Sequence, residues 1–302
     1  MLVGTILSFV ILFSRLPVKR MTTFDKDAIR LIKKSIPLLI SGGLGVINTF
    51  VDKSFATLFD AGILTIISYS IMIVLLISSL ITNAISGASY SFIVSEIGNN
   101  QINAAQSRIK QINFFFLFIY SLICILFILM GKFFLMLLFH RGHITLDDID
   151  ILYRITLILL PMTLFTSMGT IVIQTFYSFQ NLKVTTIVNS CCVLLNIGLN
   201  ILFIKHFSFY TLAGSTLISS LISTLINAYL LKRRYKILAI NNKIILMSLM
   251  VTVFSFSTLF FQNLSLKLVM VFGLLSLYLV LFKKENKEIK TLFKSYVLRA
   301  KG

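Results

Sequence analysis

Apolar runs long enough to cross a lipid bilayer recur along almost the whole chain, and they restrict the fold more than any other feature. A transmembrane helix needs about 20 predominantly apolar residues, and 57% of the 302 residues here are hydrophobic. The runs occupy residues 36–58, 66–94, 114–139, 152–179, 184–204, 212–231, 244–261 and 266–282, after a shorter one at residues 1–13. Because a backbone in lipid must satisfy its own hydrogen bonds, we predict an all-α polytopic membrane protein.

The formal net charge of +18 follows the predicted membrane rather than a nucleic acid. Most of the 28 Lys and Arg residues lie in alternate connectors, at residues 15–34, 95–111, 180–183, 232–243 and 283–301. The intervening connectors hold only Arg141, Lys205 and Lys267. Since basic connectors stay in the cytoplasm, we predict a multi-pass membrane protein that begins outside and ends in the cytoplasm. Membrane lipids are expected partners, and nucleic acids are not.

The first full run carries a carboxylate, Asp52, well inside the predicted bilayer. Charged groups at that depth are costly and usually face a protein interior or a water-filled cavity. Ser41, Gly45 and Asn48 fall on the same helical stripe as Asp52, which indicates one polar wall. A stripe of small residues can instead be a helix packing face.

Three glycines, Gly42, Gly43 and Gly45, lie near the middle of this run. Glycine weakens a helix by about 1 kcal/mol relative to alanine, and helices bend at such places. We therefore predict that this segment is the gate of a cavity that opens and closes. The same glycines are also typical of close helix packing, and that alternative stays open here.

Hard oxygen ligands recur at similar depth in three of the predicted helices. Asp52 lies about 10 Å below the outer end of its helix, and Asn196, Asn200 and Thr216 lie at comparable depth in theirs, at about 1.5 Å per residue. A carboxylate, two amides and a hydroxyl suit a small cation. We predict a Na⁺ site at these four residues, or proton exchange on Asp52, with no other cofactor. The alternative is hydrogen bonding between helices, with Lys53 neutralising Asp52.

Further polar stripes predict a shared aqueous interior. One contains Ser79, Asn83, Ser86 and Tyr90, and another contains Thr163, Ser167, Thr170, Gln174 and Tyr177. Packing through serine and threonine can produce part of this pattern. The residues predicted to line the cavity or contact substrate are Ser41, Asn48, Lys53, Asn83, Gln174 and Asn189.

The outer connector near residue 140 has two interpretations. His140 and His143 precede three aspartates, and such groups can bind a metal. Thr145 followed by Asp148, however, is typical of a capping box with an acidic residue at the positive helix end, which we favour. Arg141 and Gly142 complete this predicted structural loop. Asp150 and Arg154 are spaced for a local ion pair.

Three stretches resemble one family of transporters. LLFHRGHITLDDI (Leu137–Ile149) is similar to the outer loop of the MurJ (MviN) lipid II flippases, of the multidrug/oligosaccharidyl-lipid/polysaccharide exporter superfamily. Ile47–Tyr69 resembles their seventh helix and the turn into the eighth, and Leu159–Ile204 resembles their tenth and eleventh helices. The matching motifs occur in the family's order along nearly the whole chain. The proposed sodium residues also fall on helices that hold a sodium site in these flippases.

The resemblance implies an organisation and a function. Residues 1–34 would be a partial helix and a basic connector, 35–235 a six-helix lobe, 236–282 a two-helix groove for a polyprenyl tail, and 283–302 a cytoplasmic tail. The implied location is the bacterial inner membrane. The implied activity is transfer of a polyprenyl-diphosphate-linked peptidoglycan precursor, lipid II, across that membrane by alternating access. The family's first lobe is not matched, so a separate N-terminal half or a second copy is an expected partner.

Two other interpretations stay open. The family commonly has an aspartate–arginine pair where this chain has Tyr69-Ser70-Ile71-Met72. The substrate could therefore be another lipid-linked oligosaccharide, such as an O-antigen or capsule unit, or the chain could be an inactive fragment. A membrane glycosyltransferase or ligase is the enzymatic alternative. It would need acids or bases beside a sizeable loop, and the longest outer loop has about a dozen residues. We therefore predict a transporter and no catalytic residues.

Overall fold

The computed structural model describes residues 26–142, 144–260 and 264–281. These residues form helices joined by short connectors, with no strand among them. The helices are α1 (Lys26–Ala56), α2 (Ala61–Gly98), α3 (Ile102–Phe139), α4 (Leu146–Ser178), α5 (Leu182–Phe207), α6 (Tyr210–Tyr235), α7 (Asn242–Ser257) and α8 (Leu264–Leu281). The apolar runs from residue 36 onward each fall in one of them.

Within the described part of the chain, the five helices from α2 to α6 are long and apolar enough to cross a membrane. The helix α7 is shorter and apolar. The predicted connector at residues 15–34 overlaps α1, which already begins at Lys26. The short first run, the rest of that connector and the predicted cytoplasmic tail lie outside the described residues.

The helix α4 is the centre of the bundle. Buried residues make up 83% of its most apolar stretch, against 22–33% in the other four long helices. It packs against α2, α3, α6 and α7, while α1 lies at one edge against α5, and α8 lies at another edge against α3 and α7. The bundle therefore has two flanks, α1–α5–α6 and α3–α7–α8, on a common central helix.

A proline inside α4 explains how α7 is attached. Pro161 has no N–H, so the carbonyl of Leu157, four residues earlier, loses its helical partner. Ser255 of α7 donates its hydroxyl to that carbonyl at 2.7 Å. An orphan carbonyl in lipid is costly, and neighbouring serines commonly satisfy it. The proline thus creates a binding point for the neighbouring helix.

The connector from α6 to α7 is held by α3. Asn113 of α3 donates to the carbonyl oxygen of Ala239 at 2.9 Å, and the backbone N–H of Leu238 donates to Gln106 at 2.7 Å. Buried backbone groups outside helices need such partners. These contacts fix the start of α7 against the lobe.

The outer loop before α4 contains the predicted capping box. The hydroxyl of Thr145 accepts from the N–H of Asp148 at 3.2 Å, and the carboxylate of Asp148 accepts from the N–H of Thr145 at 2.9 Å. Gly142 has a φ of +68°, a left-handed conformation that favours glycine. No group of three His, Cys, Asp or Glu residues suited to a metal occurs in the described ranges, which leave out residue 143. The capping interpretation is therefore confirmed.

Candidate functional site

Asp52 is buried where α1, α5 and α6 meet, with 6% of its surface exposed. Asn200 of α5 donates its amide to Asp52 Oδ1 at 2.9 Å. The hydroxyl of Thr216 on α6 lies 3.4 Å from Oδ2, and the amide nitrogen of Asn48, one turn earlier in α1, is also 3.4 Å from Oδ2. The carboxylate therefore connects three helices near the end predicted to be outer.

Asn200 is the centre of the surrounding polar cluster. Its amide also donates to Asn196 Oδ1 at 3.1 Å, one helical turn away. Its own oxygen accepts from the hydroxyl of Ser215 at 2.5 Å. We call Asp52, Asn196, Asn200, Ser215 and Thr216 the Asp52 cluster. Because α5 packs against both α1 and α6, the two asparagines on one face of α5 reach groups on both neighbours.

The amide of Asn196 fits the cluster in two orientations. In one, its nitrogen donates to the hydroxyl of Thr216 at 3.1 Å. Turned over, the nitrogen donates to Asp52 Oδ1 at 3.2 Å and the oxygen accepts from the backbone N–H of Thr216 at 3.2 Å. Only the turned orientation gives the carboxylate of Asp52 a donor from Asn196.

The contacts confirm that Asp52, Asn196, Asn200 and Thr216 meet, as the sequence predicts. Ser215 was missed, because its neighbour Thr216 already supplied a hydroxyl at the expected depth and nothing in the spacing singled out a second. That these residues bind a cation stays a prediction.

No basic side chain compensates the charge of Asp52 among the described residues, where ion pairs join only Arg108 to Glu96 and Lys132 to Asp150. Lys53 follows Asp52 in the helix, but its side chain is exposed. Successive helical residues point about 100° apart, which separates the two side chains. The alternative to a cation site is thus seen in part: its hydrogen bonds between helices are present, whereas its ion pair between Lys53 and Asp52 does not occur among the described residues.

Two cavities lie beside the Asp52 cluster. The first, of about 190 Å³, is lined by Asp52, Asn48 and Thr216 and otherwise mainly by apolar side chains of α2, α4 and α6. The second, of about 270 Å³, is lined by amides and hydroxyls of α5 and α6 together with Asn48. Asn48 and Thr216 line both cavities. The Asp52 cluster therefore lies between two cavities, of which the second is lined by more polar side chains.

Comparison with known families identifies the bundle. The family model described as "Lipid II flippase MurJ" matches residues 1–284. The chain belongs to the MurJ family. That membership and the apolar helices make it a multi-pass inner-membrane protein of the all-α class, as predicted, and the family is one of transporters rather than enzymes.

Solved structures share this fold. A lipid II flippase MurJ in an inward closed conformation is similar with a TM-score of 0.63 and 23% identity, over 95% of this chain and 61% of that chain. A MOP superfamily transporter from Pyrococcus furiosus has a TM-score of 0.60 and 16% identity, over 75% of this chain and 52% of that one. An outward-facing multidrug resistance transporter of the MATE family has a TM-score of 0.59 and 16% identity, with the same coverage of both chains. No curated protein sequence matches.

The chain therefore spans about three fifths of the length of the MurJ structure that it resembles. The likeness at these identities concerns the fold.

Five of the six predicted cavity residues have described side chains, and these five divide into two groups. Asn48 and Asn189 line the second cavity, and Asn189 accepts from the hydroxyl of Ser223 at 3.0 Å. Lys53 and Asn83 are exposed and Gln174 is half-buried, and none of these three lines either cavity. The side chain of Ser41 is not among those that the structure describes.

The glycines of the predicted gate lie in an unbroken part of α1. A Cβ atom built at Gly42, Gly43 or Gly45 would have no heavy atom of the described residues within 4 Å. The alternative in which these glycines allow close helix packing is therefore not seen in this arrangement. Their role as a gate in a MurJ-family protein stays a prediction.

The polar stripe of α4 does not form a cavity wall at its centre. Thr163 and Ser167 are fully buried. The hydroxyl of Ser167 lies 2.6 Å from that of Thr82 on α2 and 3.0 Å from that of Tyr120 on α3. The packing interpretation is correct for these residues, since three hydroxyls satisfy one another in a sealed seam.

Proposed function

We propose that this chain forms the second lobe and lipid-tail groove of a flippase for a polyprenyl-diphosphate-linked peptidoglycan precursor, working by alternating access. In this assignment residues 35–235 are the lobe and residues 236–282 the groove. The observation that carries the proposal is Asp52, a buried carboxylate without a basic partner among the described residues, between two cavities of a MurJ-family bundle. Ionisable residues inside membranes mark substrate or ion pathways.

The Asp52 cluster has the chemistry of a site for a small hard cation. Its side chains offer carboxylate, amide and hydroxyl oxygens, the ligands that such ions prefer. The buried charge of Asp52 also needs compensation, because an unpaired charge in a low-dielectric interior is unfavourable. We propose Na⁺ as the ligand of Asp52, Asn196, Asn200 and Thr216, with Ser215 as a further oxygen.

The cluster would couple cation binding to the position of α1. Asp52 belongs to α1, whereas its partners belong to α5 and α6. A ligand that binds one arrangement better shifts the population toward it. Neutralising Asp52 would favour α1 held against α5 and α6, and loss of that neutralisation would favour its release, with bending at the three glycines.

A partner half would complete the aqueous pathway. Ser79 and Asn83 are exposed in α2, and Asn83 lies about 33 Å from the start of this 38-residue helix at 1.5 Å per residue. An amide exposed to lipid at that depth would be costly. We propose that this face of α2 borders water shared with a first lobe or a second copy, the partners predicted from the sequence.

The test measures lipid II exposure in bacteria depleted of their own flippase. The chain is expressed with a first lobe supplied as a separate polypeptide, and lipid II is labelled by an enzyme added outside the cells. We expect the wild-type chain to restore the labelled fraction of lipid II. The Asp52→Asn variant should leave that fraction at background. The Lys205→Gln variant, an exposed control at the same end of the bundle, should restore it as the wild type does. Lipid II that stays inaccessible, although both polypeptides reach the membrane, would contradict the proposal.

Met72 favours a second candidate function. Its side chain is 50% exposed where the resembling family commonly has an arginine for the lipid diphosphate. A methionine cannot pair with phosphate, so this position departs from the family pattern, and a flippase for another lipid-linked oligosaccharide that tolerates the loss is our second candidate. In the same cells, labelling of an O-antigen or capsule precursor but not of lipid II would support this candidate.

A further inference from the structure

A basic pocket lies between α3, α4, α7 and α8, away from the helices that form the Asp52 cluster. It has a volume of about 220 Å³. Its lining comprises Lys132, Asp150, Tyr153, Arg154 and Lys267, together with Thr258 and Leu259, which directly follow α7. We call Lys132, Arg154 and Lys267 the outer basic residues, because the distribution of charge predicts that this end of the bundle faces outward.

The pocket has more positive than negative charge. Its one carboxylate, Asp150, pairs with Lys132 at 2.6 Å. The sequence predicted a pair between Asp150 and Arg154, so the observed partner corrects that expectation. In the part of the chain that the structure describes, no carboxylate forms an ion pair with Arg154 or Lys267. Two cations are therefore left for an anion.

The position of Lys267 is supported by an aromatic ring. Its ammonium lies 5.6 Å from the ring centroid of Tyr153, a distance at which a cation is attracted to the ring face. Tyr153 is fixed in turn, since its hydroxyl donates to the carbonyl of Ile128 at 3.0 Å and its ring stacks on Phe127 at 5.7 Å. The ammonium group thus has a defined place at the pocket wall.

The depth of the pocket matches that of lipid phosphate groups. The helix α3 has 38 residues and α4 has 33, lengths of about 57 and 50 Å that exceed the 30 Å hydrocarbon core by roughly 10 Å at each end. Lys132 lies about 10 Å from the end of α3, and Arg154 about 12 Å from the start of α4. Both therefore lie at the boundary between hydrocarbon and headgroups.

Exposed apolar side chains lie on the same helices as the basic residues. Phe133 of α3 is 60% exposed and Val269 of α8 is 67% exposed, so these helices present apolar surface to the membrane. A cationic pocket between helices with such a surface is suited to a molecule with an anionic head and acyl chains. A free inorganic anion would use the charges alone.

We propose that the outer basic residues bind the phosphate of an anionic membrane phospholipid in the outer leaflet. Arginine and lysine are the usual phosphate ligands, and basic pockets between transmembrane helices hold lipid headgroups. The bound lipid would join α8 to α3 and α4 at their outer ends. This inference does not depend on the transported substrate.

Native mass spectrometry of the full chain in detergent tests the proposal. The protein is equilibrated with equal amounts of phosphatidylglycerol and phosphatidylcholine, and the retained lipids are counted. We expect the wild-type chain to prefer phosphatidylglycerol. In Arg154→Gln/Lys267→Gln this preference should fall by about 30-fold, since each of the two basic residues contributes about equally to the binding of an anionic lipid. Arg141→Gln, an exposed arginine of the outer loop, is the matched control and should keep the preference. An unchanged preference in the double variant overturns the proposal.

Competition distinguishes the sources of phosphate. Inorganic phosphate at millimolar concentration should not displace phosphatidylglycerol, and full displacement would identify a free-anion site instead. Polyprenyl diphosphate should not displace it when present in equal amount. Preferential displacement by that lipid would assign the pocket to the transported substrate and overturn the membrane-lipid proposal.

A second variant keeps the test valid if the double variant does not fold. Asp150→Asn removes the only carboxylate of the pocket and leaves Lys132 without its partner. We expect the retention of phosphatidylglycerol to rise relative to phosphatidylcholine. A fall or no change would contradict the proposal, because the added positive charge should strengthen binding to phosphate.

Discussion

Two polar clusters lie inside this bundle, and they differ in what surrounds them. Thr82, Tyr120 and Ser167 form a neutral triangle of hydroxyls at the junction of α2, α3 and α4, and all three are buried. The Asp52 cluster contains a charge, joins α1 to α5 and α6, and adjoins two cavities. Sequence spacing suggested an aqueous surrounding for Ser167 as well as for Asp52. Only the Asp52 cluster has a cavity beside it.

The difference shows which polar groups in a membrane bundle indicate function. Hydroxyls that satisfy one another connect helices at little cost, so they need no ligand. A carboxylate in the same environment needs a proton, a cation or a basic partner. The surroundings of the glycines differ in the same way, since Gly169 on α4 is tightly packed and the glycines of α1 are not.

The largest expected effect concerns cation dependence. We expect Na⁺, but not K⁺, to raise the thermal unfolding temperature of the wild-type chain in detergent. At a Na⁺ concentration of 100 times the dissociation constant, the free energy of unfolding should rise by about 2.7 kcal/mol. Asp52→Asn should abolish the difference between the two ions because it removes the charge at the site. Ser167→Ala, in the sealed cluster, should keep the difference, and equal responses to Na⁺ in the wild type and Asp52→Asn would contradict the assignment.

The next effect compares two glycines. A Cβ atom at Gly169 would lie 2.8 Å from the hydroxyl of Thr224, which itself donates to Phe165 of α4 at 2.8 Å. Gly169→Ala should therefore cost about 1–3 kcal/mol in unfolding free energy, measured in mixed detergent micelles. Gly198→Ala on α5 meets no described atom within 4 Å and should be neutral or stabilising, because alanine favours helix. Equal costs would show that the surroundings of Gly169 and Gly198 are packed alike.

The bond that supports the proline of α4 should have a smaller effect. Ser255→Ala leaves the carbonyl of Leu157 without its 2.7 Å partner, and we expect a loss of about 1–2 kcal/mol in the same titration. Ser248→Ala is the control, since that hydroxyl bonds only within its own helix, to Ile244. A larger loss for the control would indicate that α7 depends on other contacts.

The sealed hydroxyl triangle should give the smallest effect. Thr82→Val removes contacts to Tyr120 and Ser167 while keeping the side-chain shape. Interhelical hydrogen bonds in membranes contribute about 0.6 kcal/mol on average, so the loss should be near that value. Ser79→Ala, whose hydroxyl bonds to Leu76 of its own helix, should change stability less. Any influence of Thr82→Val on the Na⁺ response would argue against the separation of the two clusters.

The sequence by itself determined the fold class, the helical runs and the capped outer loop. Length and apolar composition are sufficient for a transmembrane helix, because lipid leaves the backbone no alternative to internal hydrogen bonds. Thr145 and Asp148 are three residues apart, so their capping contacts are local and readable from spacing. The family followed from motifs that are contiguous in the chain.

Only the tertiary structure decided which polar stripes have space beside them. The stripes that contain Asn48 and Ser167 have the same helical period, yet one borders cavities and the other lies in a sealed seam. The partner of Asp150 and the participation of Ser215 likewise depend on which helices are neighbours. Periodicity specifies the face on which a side chain lies, whereas helix packing determines what that face meets.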